Sequence, residues 1–280
     1  MLASGSAFLQ SVSESPRADA SLLLAHVLAC DRAWIVAHGD ALVSPDQRER
    51  FERLCRERAT GIPLAYVLGS AGFYGREFAV DARVLVPRPE TEHLVDDALA
   101  FAARRTAESD SMAALDVGTG SGAVAVTLAA ENSKILVDAT DASPDALEVA
   151  RENAAAHGVS TRCRFHLGDL VEPVAGSRFD LIVANLPYVP SDRIPRKPAP
   201  LAFEPRLALD GGRDGLELYR RLLPTLPNVL APGGLVLLEA SPEQLQALGD
   251  AVARAFPGAR VEAARDYAGL DRYLRVSAPP

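Results

Sequence analysis

The spacing of apolar and polar residues divides the chain into stretches of different period. Up to about residue 70 the period is helical. Leu22, Leu23, His26 and Val27 recur at helical spacing within Ala18–Cys30, behind Ser15-Pro16. Ala33–Ala37 predicts a further short helix. Ser44-Pro45-Asp46 has the form of a helix cap with Pro at the first helical position. The residues that follow place Phe51, Leu54 and Cys55 on one face and charges of both signs on the other. Gly61 and Pro63 end this pattern, so residues 1–70 read as a small helical domain. Ala71–Val86 is β-prone and punctuated by Gly72 and Gly75, which predicts a hairpin-like linker over 71–86.

From residue 87 to 280 the period switches repeatedly between 2 and 3.6. Pro87-Arg88-Pro89 leads into a helix over Glu90–Ala103. Apolar runs at 113–117, 134–140, 162–167, 179–184 and 234–240 predict strands. Helices are predicted over Ala123–Ala130, from the Ser143-Pro144-Asp145 cap to about His157, over Leu216–Leu230, and over Pro242–Phe256. Strands alternating with helices make an α/β fold with a parallel, doubly wound sheet. The last two runs, 260–265 and 273–278, have no helix between them and predict an antiparallel pair at one edge.

Composition narrows the classes. A chain of 280 residues has room for one large domain, or for a core domain with a smaller partner. Hydrophobic residues at 48% and charged residues at 24% exclude disorder and a disulfide scaffold as global descriptions. No apolar run reaches the roughly 20 residues that span a bilayer. The N-terminus lacks the basic and apolar parts of a signal peptide. A cytoplasmic protein without a membrane partner is the expectation. Cys30, Cys55 and Cys163 are odd in number and lack metal-ligand spacing, which predicts free thiols and no metal site. Lys plus Arg is 29 against 37 Asp plus Glu, a net charge of −8. Proteins that grip many phosphates carry a basic binding face, so stable nucleic-acid binding is not expected.

Candidate chemistry lies at the ends of the predicted strands. Asp116-Val117-Gly118-Thr119-Gly120-Ser121-Gly122 follows a strand and opens a helix, where glycines allow close backbone approach and helix-start N–H groups are available. Such a loop alone serves NAD, a flavin or only a tight turn. It lacks the Gly-Lys-Ser/Thr ending of a triphosphate loop. Asp141 stands after the second strand, placed to accept from two ribose hydroxyls. Asp169, after the third, reads either as an acceptor for an adenine amine, with Leu170 packed on the ring, or as a cap of the next segment. Asn185-Leu186-Pro187-Tyr188 follows the most apolar strand. Asn185 Oδ1 and the Leu186 carbonyl suit the two N–H protons of a planar amide or amino group, and the Tyr188 ring suits its face.

Together these motifs resemble S-adenosylmethionine-dependent N-methyltransferases, in which Asn/Asp-Pro-Pro-Tyr marks methylation of amide or exocyclic amino nitrogens. Residues 61–95 and 203–223, with Arg-Asp-Tyr-Ala-Gly-Leu-Asp-Arg-Tyr-Leu at 265–274, resemble the release factor glutamine methyltransferases, the HemK-type family, and the resemblance runs from about residue 15 to 276. The resemblance implies a seven-stranded Rossmann-like methyltransferase domain behind a helical N-terminal domain and a β-hairpin linker. It implies methyl transfer from S-adenosylmethionine, leaving S-adenosylhomocysteine, to N5 of the glutamine in the Gly-Gly-Gln motif of peptide chain release factors. By matching position, Gly118, Thr119, Gly120, Ser121, Gly122, Asp141, Asp169, Leu170 and Asn185 hold the cofactor. Asn185, Leu186, Pro187 and Tyr188 hold the glutamine and form the catalytic turn. Arg88, Pro89, Glu90 and Thr91 wall the site, and Glu204, Pro205 and Arg206 shape it from the other side. Leu186 replaces a Pro of the family pattern, which predicts a slightly looser turn, and Asn-Leu-Pro-Tyr also resembles ribosomal RNA adenine dimethyltransferases. An RNA or DNA adenine or cytosine methyltransferase is the alternative, disfavoured by the charge of −8. An inactive cofactor-binding scaffold is a second. Substrate recognition falls to the N-terminal domain, and a monomer is expected.

Overall fold

The computed structural model describes residues 1–107, 111–265 and 269–278. These form two compact units. One comprises Met1–Ser70 with Pro195–Glu204, and the other comprises Ala71–Ile194 with the described residues from Pro205 onward.

The first unit contains helices α1 (Leu2–Leu9), α2 (Pro16–Leu28), α3 (Arg32–Ala37), α4 (Pro45–Ala59) and α5 (Leu64–Leu68). The start of α4 carries a reciprocal capping box between Ser44 and Gln47. Asp31 caps α3 through the Trp34 N–H at 2.6 Å. Helix α1 was not expected from the pattern, because Ser4, Gly5 and Ser6 dilute its apolar face; α5 is too short to show a period. The core gathers Leu9, Leu23, Leu24, Ile35, Phe51, Leu54 and Cys55. The buried Arg58 ties it, bonding Asp19 at 3.1 Å and the Val12 and Ile62 carbonyls at 3.0 and 3.2 Å. Residues 195–204 join this unit although they lie far along the chain. The Pro198 carbonyl approaches the Gly61 backbone so closely that a Cβ there would sit 2.0 Å from it.

The second unit opens with a hairpin of β1 (Ser70–Phe73) and β2 (Arg76–Ala79). Tyr74 and Gly75 carry φ of 50° and 68° at its tip, as a two-residue primed turn requires. Beyond a 3₁₀ turn at Pro89–Thr91 come α6 (Glu92–Arg105), β3 (Met112–Val117), α7 (Ala123–Glu131), β4 (Ile135–Asp141), α8 (Pro144–Ala156), β5 (Cys163–Leu167) and β6 (Phe179–Ala184). Then follow α9 (Glu217–Leu222), α10 (Leu226–Val229), β7 (Leu230–Glu239), α11 (Leu245–Ala255), β8 (Arg260–Arg265) and β9 (Asp271–Ser277). The single helix predicted over 216–230 is instead broken, with a 3₁₀ turn at Leu223–Thr225. Pro224 and Pro227 lack the N–H that a continuous helix needs. Pro232-Gly233-Gly234 does not precede the strand but lies within β7, where the pairing with β6 shifts register.

The seven-stranded sheet has the order β5-β4-β3-β6-β7-β9-β8. The strands from β3 through β7 are parallel, and β9 runs antiparallel to both β7 and β8. Successive residues of β6 alternate between two cores. Leu181 and Val183 face α6 and α7, whereas Ile182 and Ala184 face Tyr219, Leu222 and Leu248. Chain order reverses between β3 and β6, which makes the carboxyl ends of those strands the natural ligand crevice. Among the described residues no helix is long and apolar enough to cross a membrane.

Candidate active site

Sheet register alone brings the strand-end motifs together. Val117 pairs with both Thr140 and Ala184, and Asp141 pairs with Leu167. The glycine loop, Asp141, Asp169 and Asn185 therefore emerge side by side at one edge of the sheet. An open cavity of about 230 Å³ lies there, lined by Gly118, Gly120, Asp141, Asp169, Leu170 and Asn185 among others. A smaller cavity of about 60 Å³ is lined by Phe73, Arg88, Thr91, Gly118, Gly120 and Asn185. Gly118, Gly120 and Asn185 line both, so the two spaces meet at the start of the loop and the end of β6.

The loop is held by its own N–H groups. Those of Gly118 and Thr119 donate to the Thr140 carbonyl at 2.9 and 3.0 Å, and that of Gly120 donates to Asp141 Oδ2 at 2.8 Å. The parallel partner strand thus takes the donors at these three positions, which precede the start of α7 at Ala123. Gly118, Gly120 and Gly122 all have left-handed φ, between 55° and 79°. Asp116 lies beneath the loop and accepts from Thr119 Oγ1 at 2.7 Å and the Ala125 N–H at 3.2 Å. Burial pushes its pKa up to about 6. Ser121 is buried, and its carbonyl accepts from Asn153 Nδ2 at 2.8 Å.

Asp141 also accepts from the Ser143 N–H at 2.8 Å, and burial raises its pKa. Each carboxylate oxygen retains acceptor capacity. Asp169 is ion-paired with Arg221 of α9, so Arg221 competes with any ligand amine for its Oδ2. Leu170 has a left-handed φ of 47° and packs in the same cluster as Leu186 and Tyr188. Arg83, which lines the larger cavity, is forked onto Asp81.

The Asn185–Tyr188 turn is tied from three sides. Asn185 Nδ2 donates to Thr91 Oγ1 at 3.0 Å. Thr91 itself is buried in the 3₁₀ turn that also carries Pro89 and Glu90, with Arg88 capping it. The buried Leu186 donates its N–H to Tyr219 Oη at 3.2 Å. A Pro has no N–H, so Leu186 adds a tether that the family's usual residue would lack, and the expected loosening of the turn is offset here. Pro187 lines the larger cavity. The Tyr188 carbonyl accepts from Gln244 Nε2 at 2.9 Å, and burial pushes the Tyr188 phenol up to about 12.

Residues 205–217 clamp this turn. Val189 exchanges backbone hydrogen bonds with Leu209 and Gly211 at 2.9 Å, and the Ser191 N–H donates to Gly212 at 2.9 Å. Gly215, at φ 78°, runs so close beneath the turn that a Cβ would lie 2.1 Å from the Tyr188 carbonyl oxygen. Pro205, Leu207 and Ala208 line the larger cavity, whereas Arg206 turns away to Asp210 at 2.8 Å. Glu204 is a buried residue of the helical unit. Of the 265–274 stretch that carries part of the family resemblance, residues 266–268 lie outside the described residues.

Sequence reasoning missed Tyr219 and Glu239. Tyr219 is fully buried; its hydroxyl lies within hydrogen-bonding distance of the Glu239 and Ala184 carbonyls as well as the Leu186 N–H. Glu239 is the last residue of β7 and is 3% exposed. An acid closing an otherwise apolar strand was the available signal.

A family model described as the PrmC N-terminal domain matches residues 1–69, and one described as a methyltransferase domain matches residues 108–266. A release factor glutamine methyltransferase of Moorella thermoacetica is 42% identical over 260 residues, 92% of this chain and 90% of that protein. One from Chlorobaculum tepidum is 39% identical over 277 residues, 97% of this chain and 93% of that one. The chain belongs to the release factor glutamine methyltransferase family. This family member shares its fold with a solved methyltransferase from Pyrococcus furiosus, at a TM-score of 0.55 and 21% identity over 74% of this chain and 91% of that one. The similarity to the M. thermoacetica and C. tepidum proteins covers nearly the whole chain, so the family member's helical unit falls within the match as well as its methyltransferase domain.

Proposed function

We propose that the enzyme transfers a methyl group from S-adenosylmethionine to N5 of the glutamine in the Gly-Gly-Gln motif of peptide chain release factors, modulating translation termination. The observation that carries this reading is Asn185, its amide nitrogen tied back to Thr91, standing where the two cavities meet.

The chemistry of the larger cavity fits the cofactor. Asp141 is a half-buried acceptor with no donor capacity when ionised, suited to the two hydroxyls of a ribose. Leu170 and Pro187 offer apolar surface for an adenine, and Asp169 stands at its edge with one oxygen engaged by Arg221. When bound, S-adenosylmethionine supplies an electrophilic methyl group. The protein's task is therefore positioning and polarisation.

An amide nitrogen is a poor nucleophile because its lone pair is delocalised into the carbonyl. Asn185 Oδ1 and the Leu186 carbonyl accept its two N–H protons, which raises electron density on nitrogen and fixes its direction. The Tyr188 phenol stays protonated through the neutral range, since burial holds its pKa near 12, and its ring excludes water and faces developing positive charge. Arg88 and Thr91 border the smaller cavity on the substrate side. One side chain cannot specify a release factor, so recognition extends over the protein, and the helical unit is assigned that role.

Incubation of a release factor with enzyme and cofactor, followed by peptide mass spectrometry, tests the reading, with total RNA as the parallel substrate. One added methyl on the loop glutamine is expected, together with a loss of at least about 10²-fold in turnover for Asn185→Ala, near the effect of removing one preorganised polar contact. Near-wild-type turnover in that variant refutes the role of Asn185.

A further inference from the structure

Glu239 has no role in the chemistry above, yet it stands directly behind it. Leu238 pairs with Ala184, so the next residues, Glu239 and Asn185, leave neighbouring strands at the same level. Thr91 and Asn185, joined by the 3.0 Å contact of Nδ2 on Oγ1, stand close enough to the Glu239 carboxyl to favour its charged form, and its Oε2 has no hydrogen-bond partner among the described residues. The Tyr219 hydroxyl bonds the Glu239 carbonyl and fixes the strand end. The charged and titratable groups that face it are Glu90 from the 3₁₀ turn, Arg272 from β9, Tyr188 from the substrate turn and Tyr219 from α9.

The two ends of an asparagine amide are almost identical in shape, so hydrogen-bond partners decide which end points where. An ionised Glu239 only accepts. Thr91 must then donate its single proton to the carboxylate and offer its lone pairs to Asn185. Only the amide nitrogen satisfies those lone pairs, as the 3.0 Å Nδ2–Oγ1 contact shows. Oδ1 is left for a ligand. A protonated Glu239 has a proton to give. Thr91 accepts it, swings its own O–H toward Asn185, and either end of the amide becomes acceptable.

We propose that Glu239 is a positioning residue for methyl transfer: its carboxylate, acting directly and through Thr91, holds the Asn185 amide with nitrogen inward and Oδ1 presented to the substrate glutamine. This rests on the reading of Asn185 as the acceptor for the glutamine N–H. Burial, with Glu90 adding repulsion, pushes the Glu239 carboxyl up to about 7, so the lock is half engaged near pH 7 and complete above it.

The test is the pH profile of kcat for release factor methylation in the full-length enzyme, from pH 6 to 9, with S-adenosylhomocysteine affinity measured in parallel. Wild-type kcat rises with pH through a midpoint near 7 and levels off about one unit higher. Glu239→Gln loses that limb and has a plateau lower by roughly tenfold, the ratio between charge-assisted and neutral hydrogen bonding, while cofactor affinity and KM hold. An unchanged limb in Glu239→Gln overturns the proposal. Should that variant fail to fold, Thr91 decides: Thr91→Ser keeps the limb and Thr91→Val loses it, and a limb in both overturns the proposal equally. Wild-type turnover in Asn185→Ala, or no methylation of release factor by the wild type, removes the underlying reading instead, and neither result is produced by a failure of Glu239 alone.

Discussion

Replacing Tyr219 by Phe removes one oxygen atom and keeps the ring that fills the core between β6 and α11. The tyrosine is fully buried, and its hydroxyl receives the Leu186 N–H at 3.2 Å while bonding the Glu239 carbonyl. Without it, the N–H of Leu186, a residue 3% exposed, has no partner. An orphaned buried donor costs about 1–3 kcal/mol, and the lost bond to the carbonyl adds about 1 kcal/mol. A destabilisation of roughly 3 kcal/mol lowers Tm by about 6–12 °C in a domain of this size. Urea and thermal unfolding read the loss; kcat reads the loosened turn. Leu186→Pro supplies the control, because it deletes the N–H and leaves the hydroxyl in place. In that background Tyr219→Phe costs about 2 kcal/mol less, a coupling well above the error of additivity for independent sites. A cost below about 0.5 kcal/mol, or the same cost in both backgrounds, contradicts the tether.

Other substitutions probe separate parts of the account. Glu239 has its pKa raised from 4.5 to about 7 in the folded protein, so the native state holds a proton that the unfolded chain has released. Its contribution to stability is full below about pH 4.5 and is lost as pH rises through about 7. Glu239→Gln does not titrate, so its stability relative to wild type improves by about 3 kcal/mol between pH 4 and 8 in urea unfolding; a gap independent of pH rules out the shift. Gly215→Ala places a Cβ 2.1 Å from the Tyr188 carbonyl oxygen at a left-handed φ of 78°. It should cost at least about 2 kcal/mol and depress kcat more than cofactor affinity, and a neutral effect on both would show that the clamp is not rigid. Asp141→Ala removes the acceptor for two hydroxyls, each bond to a charged group being worth about 1.5–3 kcal/mol. Calorimetry should show S-adenosylhomocysteine binding weaker by 10² or more, and unchanged affinity would remove Asp141 from the cofactor site.

The strand-end motifs were legible because a parallel sheet is itself a ruler. Once β3, β4, β5 and β6 are recognised as parallel strands, the residues just past each end share one edge, whatever the loops between them do. The hairpin was legible from Gly75 and its flanking alternation. Less could be read where tertiary packing overrides local pattern. Tyr219 looks like any aromatic on an apolar helix face; only the fold puts its hydroxyl against Leu186. Glu239 ends a run of leucines and valines, and its neighbours across the sheet, not along the chain, give it significance. Residues 195–204 pack with helices more than 100 positions earlier, a long-range partnership that no periodicity records. The break between α9 and α10 was visible in Pro224 and Pro227, but the apolar spacing through them outweighed it in the reading of 216–230.

The central claim is that Asn185 and its supports present a glutamine amide for methylation. It is tested most directly by mass spectrometry of a release factor after incubation with the enzyme and S-adenosylmethionine, mapped to the Gly-Gly-Gln peptide. The account predicts a single added methyl on that glutamine, abolished by Asn185→Ala. An unmodified loop glutamine, or label transferred to RNA and not to the release factor, would contradict it.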